Sequence, residues 1–204
     1  MEPYSKPGGI ILLGGKSKRM GTDKYLLPFF NLTLAEILIF ELEKVTAEVI
    51  LITNEPEKLS FLPHAKFKDL YSIPSALTGL HSGLKHSQHE TNFVLACDLP
   101  LFNARMVPYF TARMLNGIHA VVPETTKGLE PLCALYSKKC LPNIEQMFLD
   151  ANYSIQNLFK QMKTLVVTQA AVEAETHTGV FYNMNTPEEY QEALTRFSDI
   201  NKKS

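Results

Sequence analysis

The sequence predicts an α/β protein whose parallel sheet is covered by helices on both faces, and three observations carry that prediction. Short runs at 10–13, 48–53 and 92–97 are apolar at consecutive rather than alternate positions, as in strands buried on both faces. Between them, apolar residues recur at helical spacing, so strand and helix alternate through the first half of the chain. Each strand, including a weaker one at 66–68, is followed by a small or polar residue: Gly14, Asn54, Asp69 and Asp98. That is where an open parallel sheet gathers ligand-binding groups, just outside the carboxyl ends of its strands.

In order along the chain, residues 1–8 are polar with two prolines and read as a loose arm. Residues 10–13, Ile-Ile-Leu-Leu, form the first strand, and 25–29 are apolar and pack the following loop's exit against the body. Thr33 is placed to cap a helix whose stripe is Leu34, Leu38, Leu42 and Val45. Leu77, Leu80 and Leu84 mark a second helix between Ser75 and Ser87.

The second half is less regular. Residues 103–115 read as a helix that Pro108 kinks or ends early. Strands are expected at 119–123, 130–136, 165–168 and 180–182, with Pro131 suited to an edge or a strand start. One helical face is formed by Leu141, Ile144 and Phe148, and another by Ile155, Leu158, Phe159 and Met162 behind a Ser154 cap. Thr186-Pro187-Glu188-Glu189 opens the last helix with a capping box and proline at its first position. Its face is Tyr190, Ala193, Leu194 and Phe197, and the tail from 198 reads as frayed.

With 204 residues, the chain suits one domain able to bury a sizeable core. A formal net charge of −1 gives no electrostatic footprint for nucleic acid or an anionic membrane. The cysteines, Cys97, Cys133 and Cys140, are odd in number and lack C-x-x-C spacing, which argues against a disulfide framework and a zinc site. Six scattered histidines show no metal-binding pair, and no G-x-S-x-G marks a nucleophile. No run approaches the ~18 apolar residues of a membrane span, and the N-terminus lacks a signal peptide's apolar core. The expectation is a reduced, cytoplasmic, soluble protein.

The stretch around which the chain is organised is 10–24, I-I-L-L-G-G-K-S-K-R-M-G-T-D-K. A buried strand opens into Gly14-Gly15, where backbone can take φ > 0 and approach a ligand without a Cβ in the way. Lys16, Lys18, Arg19 and Lys24 follow. Such a loop suits a phosphate chain, cradled by backbone N–H groups and neutralised by side chains. The plainer alternative is a solvated, charged turn. It is neither a P-loop nor a G-x-G-x-x-G loop. Asp98, in A-C-D-L-P, is either a Mg²⁺ ligand or a turn and cap residue. Asp69 and Asn54, each just past a strand, read by themselves as turn residues.

The loop resembles the L-x-G-G-x-S-x-R-M-G-x-D-K signature of the molybdenum cofactor guanylyltransferases. Leu12, Gly14, Gly15, Ser17, Arg19, Met20, Gly21, Asp23 and Lys24 stand in register. The likeness extends to C-D-x-P at Asp98, P-L-x-A-L-Y at 131–136 and N-x-N-T-P-[ED] at 183–188. It departs at Ser75-Ala76, where the family has Gly-Pro before Leu77 and Gly79, and this bears on base selectivity. The resemblance implies a three-layer α/β/α fold, mostly parallel, of the nucleotide-diphospho-sugar transferase type. It implies GMP transfer from GTP to molybdopterin, giving the guanine dinucleotide cofactor and pyrophosphate. Leu12, Gly14, Gly15, Lys24, Asn54, Asp69 and Asp98 would then bind nucleotide. Arg19, Lys24 and Asp98 would be catalytic, with Mg²⁺ on Asp98, and Asn183 and Asn185 near the pterin. The partners implied are a cofactor-supplying protein and a molybdoenzyme or its chaperone. The rivals are a cytidylyltransferase for the same cofactor, a sugar-phosphate nucleotidyltransferase, and a non-catalytic nucleotide-binding relative. The glycine pair and the Asp-Lys ending favour the guanylyl branch.

Overall fold

The structure, a computed structural model, describes residues 6–14 and 23–202. The strands are β1 (Gly8–Leu12), β2 (Pro28–Phe29), β3 (Leu32–Thr33), β4 (Val49–Ile52), β5 (Lys66–Phe67) and β6 (Thr91–Ala96). They continue with β7 (Ala120–Thr125), β8 (Gly128–Leu129), β9 (Cys133–Ser137) and β10 (Thr164–Thr168). The helices are α1 (Leu34–Glu43), α2 (Ala76–His86), α3 (Met106–Thr111), α4 (Leu141–Leu149), α5 (Ile155–Leu158), α6 (Gln169–Glu175) and α7 (Pro187–Asn201).

The main sheet runs β10-β7-β9-β6-β1-β4-β5, with β8 folded onto β7 and β2-β3 a separate hairpin. Strands β5, β4, β1 and β6 are parallel, whereas β9 runs antiparallel between β6 and β7. From β1 the chain moves outward through α1 to β4 and β5. It then crosses back through α2 to β6 on the other side of β1. Right-handed crossovers taken in opposite directions put α1 and α2 on opposite faces. Alternate residues of the same strands feed two cores accordingly. Ile11, Leu51, Phe93 and Leu95 pack with Leu34, Leu38 and Leu42 of α1; Ile10, Leu12, Ile52 and Val94 pack with Leu77, Leu80 and Leu84 of α2. Helix α2 lies close on β1 because Gly83 has no side chain: a Cβ there would stand 2.5 Å from Ile10 Cγ2. The predicted mostly parallel three-layer α/β/α class is the observed one.

Several local expectations are corrected. The first strand takes in Gly8, and the Pro7 carbonyl accepts from Ala47 N, so any loose arm ends before Lys6. At the other end α7 continues to Asn201, three residues past the expected fraying point at 198. Pro108 occupies the third position of α3, where no N–H is owed to the helix, and so neither kinks nor ends it. The 130–136 strand begins only at Cys133, because Glu130 and Pro131 form the turn that Cys133 N closes on Glu130 O. Val180 and Phe181 are buried as a turn, not as a strand: Gly179 at φ +84° bends the chain and Tyr182 N bonds its carbonyl. Only Ile155–Leu158 of the expected 155–162 face is helical, and Ser154 makes no side-chain cap. The β7-β8 hairpin and α6 were not anticipated; α6 buries only Val172 and carries no stripe to announce it.

Candidate nucleotide site at the carboxyl edge of the sheet

The topology reverses between β1 and β6, and the crevice outside their carboxyl ends is where an open α/β sheet takes its ligand. Leu12 and Gly14 leave β1 there, and Cys97 and Asp98 leave β6. Gly14 is exposed; among the described residues a Cβ on it would meet nothing within 4 Å, and its φ is not positive. The positive φ that a glycine permits is therefore not used at Gly14. Gly15 and Arg19, with the Ser17–Gly21 part of the signature, lie outside the described residues.

The chain is next described at Asp23, where a short 3₁₀ turn over Lys24–Leu26 anchors the loop's exit by burying Tyr25. Lys24 is half-buried and its Nζ donates to Asn185 Oδ1 at 2.8 Å. Asp23 pairs at 2.8 Å with Lys58, which also pairs with Glu55. Burial, with the Asp23 charge adding to it, pushes the Tyr25 hydroxyl up to about 12.

Asp98 is half-buried, and its backbone carbonyl accepts from Met184 N at 2.9 Å. That bond and the Lys24–Asn185 bond lay 183–185 across the end of β6. Burial holds the Asp98 carboxyl above the usual carboxylate range, against the opposing pull of Lys24. Burial and the Asp98 charge do the same to Glu130, at the turn before β9. Behind them Cys97 is buried, its thiol pushed up to about 12 first by desolvation and then by Asp98. The crevice thus sets a cation, Lys24, against two carboxyls that burial disfavours as anions.

At the β4-β5 side, Asn54 and Asp69 form a reciprocal pair: Asn54 Nδ2 donates to Asp69 Oδ2 at 2.8 Å, and Asp69 N donates to Asn54 Oδ1 at 3.2 Å. Asp69 Oδ1 is buried with no partner among the described residues. Ser75 of the Ser-Ala departure caps α2 by accepting from Thr78 N.

Of the predicted site residues, Lys24 and Asn185 bond directly, Met184 ties the 183–185 segment to Asp98, and Leu12 and Gly14 lie at the carboxyl end of the neighbouring β1, whereas Asn54 and Asp69 form their own pair at the β4-β5 side. The Lys58–Asp23 pair, Glu130 and Glu189 were missed. Asp23 stood in the signature without a role, and Glu130 stood in E-P-L-C-A-L-Y. Nothing in the sequence joins Lys58 to Asp23 across 35 positions.

The chain is similar to known proteins over most of its length. The model of the "MobA-like NTP transferase domain" matches residues 9–166. A protein of Clostridium perfringens (strain 13 / Type A) named "Probable molybdenum cofactor guanylyltransferase" is 32% identical, over 94% of this chain and 98% of its own. The "Molybdenum cofactor guanylyltransferase" of Desulfosudis oleivorans is 29% identical, over 91% and 93%. Among solved structures, molybdopterin-guanine dinucleotide biosynthesis protein A from Archaeoglobus fulgidus superposes with a TM-score of 0.83, covering 94% of this chain and 99% of that one. Its 20% identity speaks for the fold alone. With the family model spanning most of its length, and close relatives over nearly all of it, the chain belongs to the MobA-like NTP transferase family.

Proposed function

We propose that the protein transfers GMP from GTP to molybdopterin, releasing pyrophosphate and forming the guanine dinucleotide cofactor. The observation that carries this reading is the convergence of Lys24, Asp98 and the 183–185 segment at the β1-β6 edge, in a chain of this family. A terminal phosphate oxygen of the pterin forms a bond to the α-phosphorus, and the bond from that phosphorus to the β-phosphate bridging oxygen breaks. The attacking group is already an anion, so neither a protein nucleophile nor a strong base is required. What the protein must supply is alignment and positive charge.

Gly14 leaves room for the phosphates, and Gly15 and Arg19 belong by sequence to the same cradle. Lys24 neutralises charge growing at the α-phosphate. Asp98 and Glu130 suit Mg²⁺, which prefers one or two carboxylates completed by phosphate oxygens and water. Among the described residues no cluster of three or more ligating side chains offers an all-protein cage instead. Asp98 and Glu130 would hold the ion, and it would supply positive charge to the phosphates. Burial holds Asp98 and Glu130 toward their neutral forms, and a cation would relieve that cost. Asp69 Oδ1, a buried acceptor with no donor among the described residues, suits the donor-rich edge of guanine, with Asn54 fixing its carboxylate. By sequence likeness we assign Asn183 to the acceptor side. We place the activity in the cytoplasm. Among the described residues no helix is long and apolar enough to cross a membrane.

The test is calorimetric titration with Mg·GTP, Mg·CTP, Mg·ATP and Mg·UTP, followed by pyrophosphate release with molybdopterin. GTP should bind at least about tenfold tighter than the others, ~1.4 kcal/mol, and turnover should require the pterin. A preference for CTP would move the assignment to cytidylyl transfer. Binding without pyrophosphate release would leave only a nucleotide-binding protein.

A further inference from the structure

We infer that Asn185 is a positioning residue for Lys24, an uncharged acceptor that aims the ammonium into the nucleotide crevice without neutralising it. The inference rests on the nucleotidyl-transfer reading above, and moves Asn185 from the acceptor side of the reaction to the nucleotide side.

The bond is direct: Lys24 Nζ donates to Asn185 Oδ1 at 2.8 Å, across 161 positions of sequence, and both side chains are half-buried. Lys24 has a carboxylate nearby, since it pulls on the Asp98 carboxyl, yet its hydrogen bond goes to an amide. An ion pair with Asp98 would occupy the carboxylate meant for a cation and discharge the lysine meant for phosphate. An amide oxygen takes one of the three ammonium donors and, unlike a carboxylate, does not cancel the charge.

Asn185 is itself held from both sides. Its backbone N–H donates to Glu189 Oε2, the carboxylate oxygen that also accepts from Thr186 N at 3.0 Å in the capping box of α7. One residue earlier, Met184 N bonds the Asp98 carbonyl and its side chain is buried. The amide that holds Lys24 is therefore carried on backbone pinned at one end to β6 and at the other to α7. A lysine has a long, rotamer-rich stem, and fixing its head in advance removes ordering cost from binding.

The test is a double-mutant cycle between Lys24→Ala and Asn185→Ala, read as Mg·GTP affinity by calorimetry, with Asn185→Asp as a third variant and thermal unfolding recorded for each. Asn185→Ala should weaken Mg·GTP about tenfold in the wild-type background, as loss of a hydrogen bond to a charged group does. In the Lys24→Ala background it should add about twofold or less, because its effect passes through the lysine. Asn185→Asp keeps the shape and the contact but pairs the charge, and should weaken binding at least as much as Asn185→Ala. Being isosteric, it also carries the test if the alanine variant unfolds. Unchanged affinity in Asn185→Ala would return the residue to the acceptor side. Additive losses would mean that it acts on nucleotide independently of Lys24, and wild-type affinity in Asn185→Asp would remove the need for a neutral acceptor. Each of these overturns the proposal alone, whereas a wild-type protein that binds no nucleotide overturns the nucleotidyl-transfer reading and this proposal together.

Discussion

Helices α1 and α7 begin with the same local device and use it differently. Each opens on a threonine whose hydroxyl accepts from the backbone N–H three residues on, and each closes with the glutamate of that residue reaching back. At α1, Glu36 Oε2 takes both the backbone N–H and the hydroxyl of Thr33, at 2.7 and 2.8 Å, so the box closes on itself. At α7, Glu189 Oε2 takes Thr186 N and, as its second donor, Asn185 N. That one exchanged bond connects a helix start to Lys24 and, through Met184, to Asp98. The motif fixes where a helix begins, and the donor given to the second lone pair decides whether that helix start also bears on chemistry.

The largest expected effect separates the anchor from the charge at Asp98. Asp98→Asn keeps the backbone carbonyl that receives Met184 N, so the 183–186 segment should stay in place. It removes the anionic oxygens on which cation binding depends. Mg²⁺-dependent turnover should fall at least about a thousandfold, consistent with several kcal/mol of charge stabilisation, while the melting temperature does not drop. Near-wild-type turnover would remove the metal assignment. A collapse in stability would mean that the carboxylate, not only the carbonyl, holds the segment.

A smaller effect tests the two boxes directly. Glu36→Ala and Glu189→Ala each delete the reaching carboxylate of a capping box, and each should cost about 1 kcal/mol of stability. Only Glu189→Ala should also lower turnover, by about tenfold, because only that box holds Asn185. Equal turnover in the two variants, measured at a temperature where both are fully folded, would show that α7 merely starts like α1.

The contrast between the boxes also marks what could be known in advance. Thr33 and Thr186 were recognisable as caps because the signal is contained within four residues. The three-layer class was recognisable because consecutive apolar residues at 10–13 and 92–97 admit few other buried arrangements. Asp98 and Gly14 stood out as candidates through position at a strand end and likeness to a family. Glu189 as a support for Lys24, Glu130 beside Asp98 and Lys58 on Asp23 were not, since each depends on which strand lies next to which. Pairing at 35 or 161 positions leaves no periodicity to detect. The Val180-Phe181 pair misled for a related reason: burial makes a residue apolar, and two buried residues in a turn look like the middle of a strand.

The smallest effect lies away from both boxes and gives them a baseline. His81, within α2, is 2% exposed, ringed by Tyr71 and Phe148, with Nε2 3.3 Å from Glu145 and, among the described residues, no partner for Nδ1. Desolvation lowers its pKa below the ordinary 6.5, overriding the raising effect of Glu145, while Lys85 adds to the lowering. The unfolded chain therefore binds the proton more readily than the folded one in the window below 6.5. This contribution to stability is whole above that window and is lost as pH falls through the folded value. The melting temperature should decline as pH falls below 6.5, and His81→Gln, which keeps a polar end toward Glu145 but cannot titrate there, should flatten that part of the curve. Turnover per folded molecule should not follow it, because His81 packs between α2 and α4 and makes no bond to Lys24, Asp98 or 183–185. If the activity of fully folded protein tracked the His81 titration, the separation drawn here between helices that merely stand and the helix that holds the lysine would fail.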